Sequence, residues 1–187
     1  MTSLLLFPGA GTASTHPSLR AIEKAVAPMP CVRADFAYTL AGRKAPDRPP
    51  VLLQTVRDAA APLLAADPKL LLGGRSMGGR ICSLAVADES DPLPAVGLVL
   101  ICYPLHPPGK PDTLRVEHFP RLQVPCLFIS GTRDAFGTPD ELLRWTAMIP
   151  GGVTHHWLEG KGHALAGCDA VIASTVADWI RSMSLKD

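Results

Sequence analysis

Ser76 lies in Gly74-Arg75-Ser76-Met77-Gly78, a G-x-S-x-G pattern. Leu70, Leu71 and Leu72 precede it as a short apolar run of the kind that forms a strand buried on both faces. Ile81 to Ala87 follows as an apolar stretch that permits a helix. Strand, tight turn carrying a serine, and helix together form the setting of a nucleophilic serine. The turn strains the serine backbone, so its neighbours must be small, and Gly74 and Gly78 meet that demand. The helix start adds free N–H groups and the positive end of the helix dipole. The bland alternative is a glycine-rich turn whose serine only caps a helix.

A serine hydroxyl is a poor nucleophile until a base removes its proton. An imidazole titrates near neutrality and suits that task. A buried carboxylate fixes its tautomer and stabilises the cation that forms. Asp134 ends Ser130-Gly131-Thr132-Arg133-Asp134, and His163 ends Gly160-Lys161-Gly162-His163. These are the candidates for orienting acid and base, against the plainer readings of a strand-end turn and a solvated loop histidine. His16, His118, His155 and His156 have no comparable setting. A tetrahedral intermediate also needs two backbone N–H donors. Met77, the residue after the serine, supplies one, and Ala10 supplies the other. Gly9 and Gly11 beside Ala10 let the backbone approach a substrate.

Six apolar strand candidates deliver these residues: Ser3–Phe7, Cys31–Phe36, Lys69–Leu72, Val96–Cys102, Pro125–Ser130 and Val153–Leu158. Helical patterns alternate with them. Ser18–Ala27 has Leu19, Ile22 and Val26 on one face, and Val51–Ala66 contains Pro62 as a kink or break. Met77 to Asp88 follows the serine. Thr138-Pro139-Asp140-Glu141 starts a helix to about Ile149, with Thr138 as N-cap and Glu141 at N3. Ala170–Met183 is the last helix. Gly42–Pro50 and Tyr103–Pro111 read as proline-rich surface loops, and Leu114–Leu122 as one or two helical turns. The alternation predicts an α/β domain with a six-stranded, mostly parallel sheet and helices on both faces. Ligand sites in such sheets lie at the carboxyl ends of the strands. The loops Pro8–Thr12, Gly73–Ser76, Gly131–Asp134 and Glu159–His163 all open there.

The composition is that of one globular domain over residues 1–187, with 47% hydrophobic residues and a net charge of +1. Scattered Lys and Arg argue against nucleic acid or an anionic membrane as partner. No run reaches the length of a membrane span, and the N-terminus lacks a basic signal-peptide region. Five cysteines without C-x-x-C spacing read as reduced thiols of a cytoplasmic protein.

With these residues in place, the chain resembles an α/β-hydrolase, close to the small dienelactone-hydrolase-like esterases. The order Ser76, Asp134, His163 is that family's order. Its loop after the first strand here often reads H-G-x-G, and Pro8 replaces the His. The chain begins at what resembles the family's third strand. Dienelactone hydrolases carry Cys where this chain has Ser76, which removes dienelactone as the favoured substrate.

The resemblance implies a minimal α/β-hydrolase fold without a lid domain. It implies a serine hydrolase for an ester, thioester or related acyl bond of a small substrate. Ser76, His163 and Asp134 act as the triad, Ala10 and Met77 as the oxyanion hole, with no metal and no cofactor. Tyr103, Leu105, His106 and Phe136, with Gly9 and Gly11, are the expected pocket residues. Only Tyr103–Val124 separates two strands where many relatives insert a lid, so the pocket is expected to be open and to suit short acyl chains. The expected state is monomer or homodimer. Two other readings compete. One is a catalytically idle scaffold of the same fold. The other is a dinucleotide-binding protein, from the near G-x-G-x-x-G of Gly9–Ser14 with Asp35 as the ribose acid.

Overall fold

The computed structural model describes residues 2–184. Six strands form one sheet: β1 (Ser3–Phe7), β2 (Cys31–Arg33), β3 (Leu70–Arg75), β4 (Gly97–Ile101), β5 (Cys126–Gly131) and β6 (Val153–Leu158). Their order is β2-β1-β3-β4-β5-β6, and every neighbouring pair is parallel. The direction of winding reverses between β1 and β3. That reversal leaves a crevice at the carboxyl ends of these two strands.

The helices are α1 (Pro17–Val26), α2 (Ala37–Leu40), α3 (Pro49–Ala66), α4 (Met77–Val86), α5 (Pro139–Thr146) and α6 (Asp169–Ser184). Alternate strand residues face opposite sides. Leu4, Leu6, Leu71, Val99, Ile101 and Ile129 meet α1 and α6 through Leu19, Ile22, Ile172 and Val176. Leu5, Phe7, Leu72, Leu98, Leu100 and Phe128 meet α3, α4 and α5 through Val56, Ile81, Ala85 and Leu142. Both sheet faces are therefore covered, which is why its central strands read as unbroken apolar runs.

Three local features depart from the expected boundaries. β3 continues through both glycines to Arg75, because flanking backbones close on them: a Cβ on Gly73 would strike Val99 O, and one on Gly74 would strike Phe7 O. β2 stops at Arg33, and the next residues turn into the short helix α2, with Phe36 at its N-cap. α3 runs unbroken through Pro62. Pro62 lies on the exposed side of that helix, and so does Asp58, whose carbonyl loses its partner to water rather than to the core. The expected capping box at α5 is present: Thr138 Oγ1 accepts from Glu141 N–H, and the Glu141 carboxylate accepts from Thr138 N–H at 2.9 Å.

Between β4 and β5 the only helical piece is a 3-10 turn at Phe119–Arg121. Among the described residues, no inserted lid domain covers the carboxyl ends of the strands. Among the described residues, no helix is long and apolar enough to cross a membrane.

Candidate functional site

Ser76 sits between β3 and α4 with φ 46° and ψ −116°, a strained conformation for any residue with a side chain. Its N–H donates to Ile101 O at 2.8 Å, which ties the turn to the end of β4. The turn closes against β1 because Gly74 and Gly78 have no side chains. A Cβ on Gly78 would lie 2.5 Å from both Phe7 O and Pro8 O. The Ser76 hydroxyl does not cap α4. Its Oγ instead meets His163 Nε2 at 2.9 Å, so the reading of Ser76 as a mere helix cap fails.

The other two candidates converge on it. β5 ends in the turn that carries Asp134, and β6 ends in the loop that carries His163. Arg133 N–H donates to Lys161 O at 2.8 Å, and Gly160 N–H to Thr132 Oγ1 at 2.8 Å, so the two loops are knitted together. His163 Nδ1 lies 2.8 Å from Asp134 Oδ2 and 3.0 Å from Oδ1. Asp134 is 2% exposed, and Phe136 N–H donates to its Oδ1 at 2.9 Å. Both carboxylate oxygens accept only, so Nδ1 carries the proton and Nε2 is free to accept from Ser76. The Phe136 ring stacks on the imidazole with centroids 4.0 Å apart. Phe136 therefore holds both partners of the pair, a role that the sequence did not separate from lining a pocket.

Arg75 adds a support that the sequence reading missed. Its Nη2 donates to His163 O at 3.3 Å and Ala164 O at 3.0 Å, which anchors the histidine loop to β3. Across the crevice, Gly9–Thr12 forms a turn in which Thr12 N–H donates to Gly9 O at 3.2 Å and Gly11 has φ 72°. A Cβ on Gly9 would lie only 3.5 Å from Ser76 Cβ. Ala10 and Met77 flank Ser76 in the same cleft.

That cleft has a volume of about 490 Å³, and Gly9 and Phe136 line it as expected. Four expected pocket residues do not take that place. Gly11 stands at the exposed tip of its turn. Tyr103, Leu105 and His106 turn into the core, leaving Pro104 of that segment at the cleft. Tyr103 packs on Phe119 and Phe128, with ring centroids 5.3 and 5.8 Å away, and its hydroxyl donates to Arg115 O at 2.8 Å. Its hydroxyl is held above the usual phenol range by burial. His106 faces Glu141 at 3.3 Å. The missed walls are Pro46 and Asp47 of the proline-rich loop and Pro49 and Leu52 of the first turn of α3, together with Arg80 and Arg115.

The remaining titratable groups near the site are structural. Cys102, at the end of β4, is buried and its thiol is pushed up to about 11 by burial. His118 is buried against Ser83, with Nε2 2.8 Å from Oγ, and burial pulls its pKa down to about 4. Among the described residues, no group of three His, Cys, Asp or Glu side chains gathers to hold a metal.

The glycine-rich loop does not suit a dinucleotide. Ser14 N–H and Oγ donate to the two Asp35 oxygens at 2.6 and 2.7 Å, so that acid is engaged. Helix α1 starts only at Pro17, beyond the turn.

A family model described as "Alpha/beta hydrolase domain" matches residues 1–183. Among solved structures, the chain is similar to Est1E from Butyrivibrio proteoclasticus with ferulic acid bound, at TM-score 0.73 and 12% identity, covering 97% of this chain and 89% of that one. It is similar to a thermophilic esterase from Thermogutta terrifontis with malate bound, at TM-score 0.75 and 16% identity, covering 97% and 90%. It is also similar to the haloalkane dehalogenase DbeA from Bradyrhizobium elkani USDA94, at TM-score 0.74 and 15% identity, covering 98% and 91%. At these identities the likeness establishes the shared fold.

Proposed function

The chain belongs to the alpha/beta hydrolase domain family, and on that premise we propose that it is a serine hydrolase cleaving an ester, thioester or related acyl bond of a small substrate. One observation carries the reading: the unbroken line from Ser76 Oγ to His163 Nε2 at 2.9 Å and from Nδ1 to buried Asp134 at 2.8 Å. In this reading, Ser76 Oγ attacks the acyl carbon while its proton passes to His163 Nε2. The carbonyl π electrons move onto oxygen, and the N–H groups of Ala10 and Met77 face that oxyanion. When the intermediate collapses, the imidazolium gives its proton to the leaving group and an acyl-serine remains. Water, deprotonated by the same imidazole, then releases the acid and restores Ser76. Asp134 stays ionised throughout and stabilises the imidazolium.

The open cleft supports short acyl chains, because no lid closes apolar surface over a longer one. The esterases among the structural neighbours are in keeping with an acyl substrate. The test is hydrolysis of a short activated aryl ester by wild type and Ser76→Ala. The variant is expected to lose at least a thousandfold in kcat with an unchanged melting temperature. Retention of more than about a tenth of kcat would remove Ser76 as the nucleophile.

A further inference from the structure

We propose that the cleft beside Ser76 is built for an anionic substrate, whose carboxylate or phosphate group is held between Arg80 and Arg115. The proposal rests on the serine-hydrolase reading and names its substrate class. Arg80 follows Ser76 by one turn of α4, about 6 Å along the helix axis, on the same face. Helical side chains lean toward the N-terminus, so this one leans toward the serine. Arg115 approaches from the segment after β4. Its N–H donates to Leu105 O at 2.9 Å and its carbonyl accepts from Tyr103 Oη, so its backbone is held on both sides. Both arginines line the cleft with Ser76.

Among the described residues, no carboxylate pairs with either guanidinium, and the buried Arg80 Nε has no hydrogen-bond partner. The other half-buried arginines, Arg33 and Arg57, are paired, Arg33 with Glu23 at 2.9 Å and Arg57 with Asp88 and Asp91, each at 2.8 Å. Among the described residues, Asp47 is the one carboxylate lining the cleft, and Arg43 takes both of its oxygens, at 2.7 and 3.1 Å. Burial, and then the nearby charge of Arg80, lower the Arg115 pKa from its ordinary value, so the two cations feel each other. Arg75 adds a third guanidinium to the same lining. It is 6% exposed, with Nη2 on the histidine loop and Nη1 unpartnered.

Like charges partly removed from water repel, and their unmade hydrogen bonds are costly. An anionic oxygen group placed between them relieves both. The guanidinium fork suits carboxylate and phosphate alike. The helix N-terminus adds to the same potential. A neutral substrate would leave two unpaired guanidiniums facing it.

The test compares kcat/KM for matched esters. One pair carries the charge on the alcohol side: 4-acetoxybenzoate against 4-acetoxybenzamide, with 4-acetoxyphenyl phosphate as the phosphate arm. The other carries it on the acyl side: monophenyl adipate against phenyl hexanoate. Wild type is expected to prefer the anionic member of at least one pair by about tenfold or more. That ratio should fall about tenfold in Arg115→Gln and in Arg80→Gln. In wild type, raising salt from about 0.05 to 0.5 M should lower the ratio by screening, a readout that needs no variant to fold. The larger ratio, carboxylate or phosphate, identifies the group. A ratio near one in every pair, or a ratio unmoved in both folded variants, overturns the proposal.

A second readout needs no turnover. Benzoate or phenyl phosphate should raise the melting temperature of Ser76→Ala, and Arg115→Gln in that background should abolish the rise. A rise without any hydrolysis by wild type would remove the hydrolase reading alone. Hydrolysis without charge preference would remove the anion site alone.

Discussion

Replacing Asp134 by Asn should cost three to four decades in kcat, and the hydrogen bonds around its carboxylate show why. Phe136 N–H donates to Oδ1 at 2.9 Å, and His163 Nδ1 lies 2.8 Å from Oδ2. In Asp134→Asn, the Phe136 N–H still needs an acceptor, so the amide oxygen stays at the Oδ1 position. The amide NH2 then falls at the Oδ2 position, directly against Nδ1. It donates there, Nδ1 becomes the acceptor, and the proton moves to Nε2. Nε2 can then no longer accept from Ser76. Losing the charge-assisted bond to the imidazolium costs about 1.5–3 kcal/mol. The inverted tautomer adds the rest, for a total of about 4–5.5 kcal/mol, at 1.36 kcal/mol per decade. Stability should barely change, because Asn keeps the shape and both hydrogen bonds. A shift under about 1 kcal/mol, roughly 2–4 °C in Tm, is expected for a chain of this length. The assay is steady-state hydrolysis of a short aryl ester beside a thermal melt. A folded Asp134→Asn protein with more than about a tenth of wild-type kcat would refute the tautomer argument.

Three further outcomes follow from the same structure. With no lid over the cleft, kcat/KM should stop rising beyond acyl chains of roughly four carbons, since each further CH₂ gains its ~0.8 kcal/mol only where apolar surface closes over it; a steady rise to long chains with activation by micelles would contradict the open cleft. Alkylating reagents should leave activity intact, because Cys82, Cys102 and Cys126 are buried and burial raises all three thiols, Cys102 to about 11 and Cys126 to about 12; inactivation traced by peptide mass to Cys102 would contradict this. His118 should make the fold acid-sensitive. Its pKa is about 4 in the fold against an ordinary 6.5, so the unfolded chain binds the proton first. The stabilisation is complete above pH 6.5 and is lost as pH falls toward 4, by about 3 kcal/mol. Urea unfolding at pH 7, 5.5 and 4 should show that slope in wild type and a shallower one in His118→Gln; equal slopes would exclude His118 as the cause.

The parts of the molecule that were legible in the sequence are those set by local chemistry. Apolar runs of strand length, the capping box at Thr138 and the glycines around Ser76 each carry their own physical signal. They were enough to place Ser76, Asp134 and His163 at the carboxyl ends of strands of a parallel sheet. The cleft walls were not legible, because they depend on how loops pack. Tyr103 and Leu105 read as pocket residues because they follow a strand end, yet burying their side chains against Phe119, Phe128 and the rest of the core is more favourable. Gly42–Pro50 is the exposed surface loop, up to the start of α3, that its polar and proline-rich composition predicts, but composition does not signal that Pro46, Asp47 and Pro49 line one side of the cleft. The strand boundary after Leu72 was missed because glycine argues against strand in isolation, whereas here the neighbouring backbones require it. Arg75 and Arg80 carried a weak signal, as cations in and beside the serine motif, and Arg115 carried none. That Arg80 and Arg115 are half-buried in the cleft without a carboxylate partner is visible only in three dimensions.

Covalent labelling reports directly whether Ser76 is an activated nucleophile. An unassisted serine hydroxyl reacts slowly with a fluorophosphonate, whereas one hydrogen-bonded to an oriented imidazole reacts fast. Intact-mass analysis should show one adduct on the wild-type chain, mapped by peptide sequencing to Ser76, and none on Ser76→Ala under the same conditions. Folded wild-type protein that stays unlabelled, or an adduct that persists in Ser76→Ala, would contradict the account.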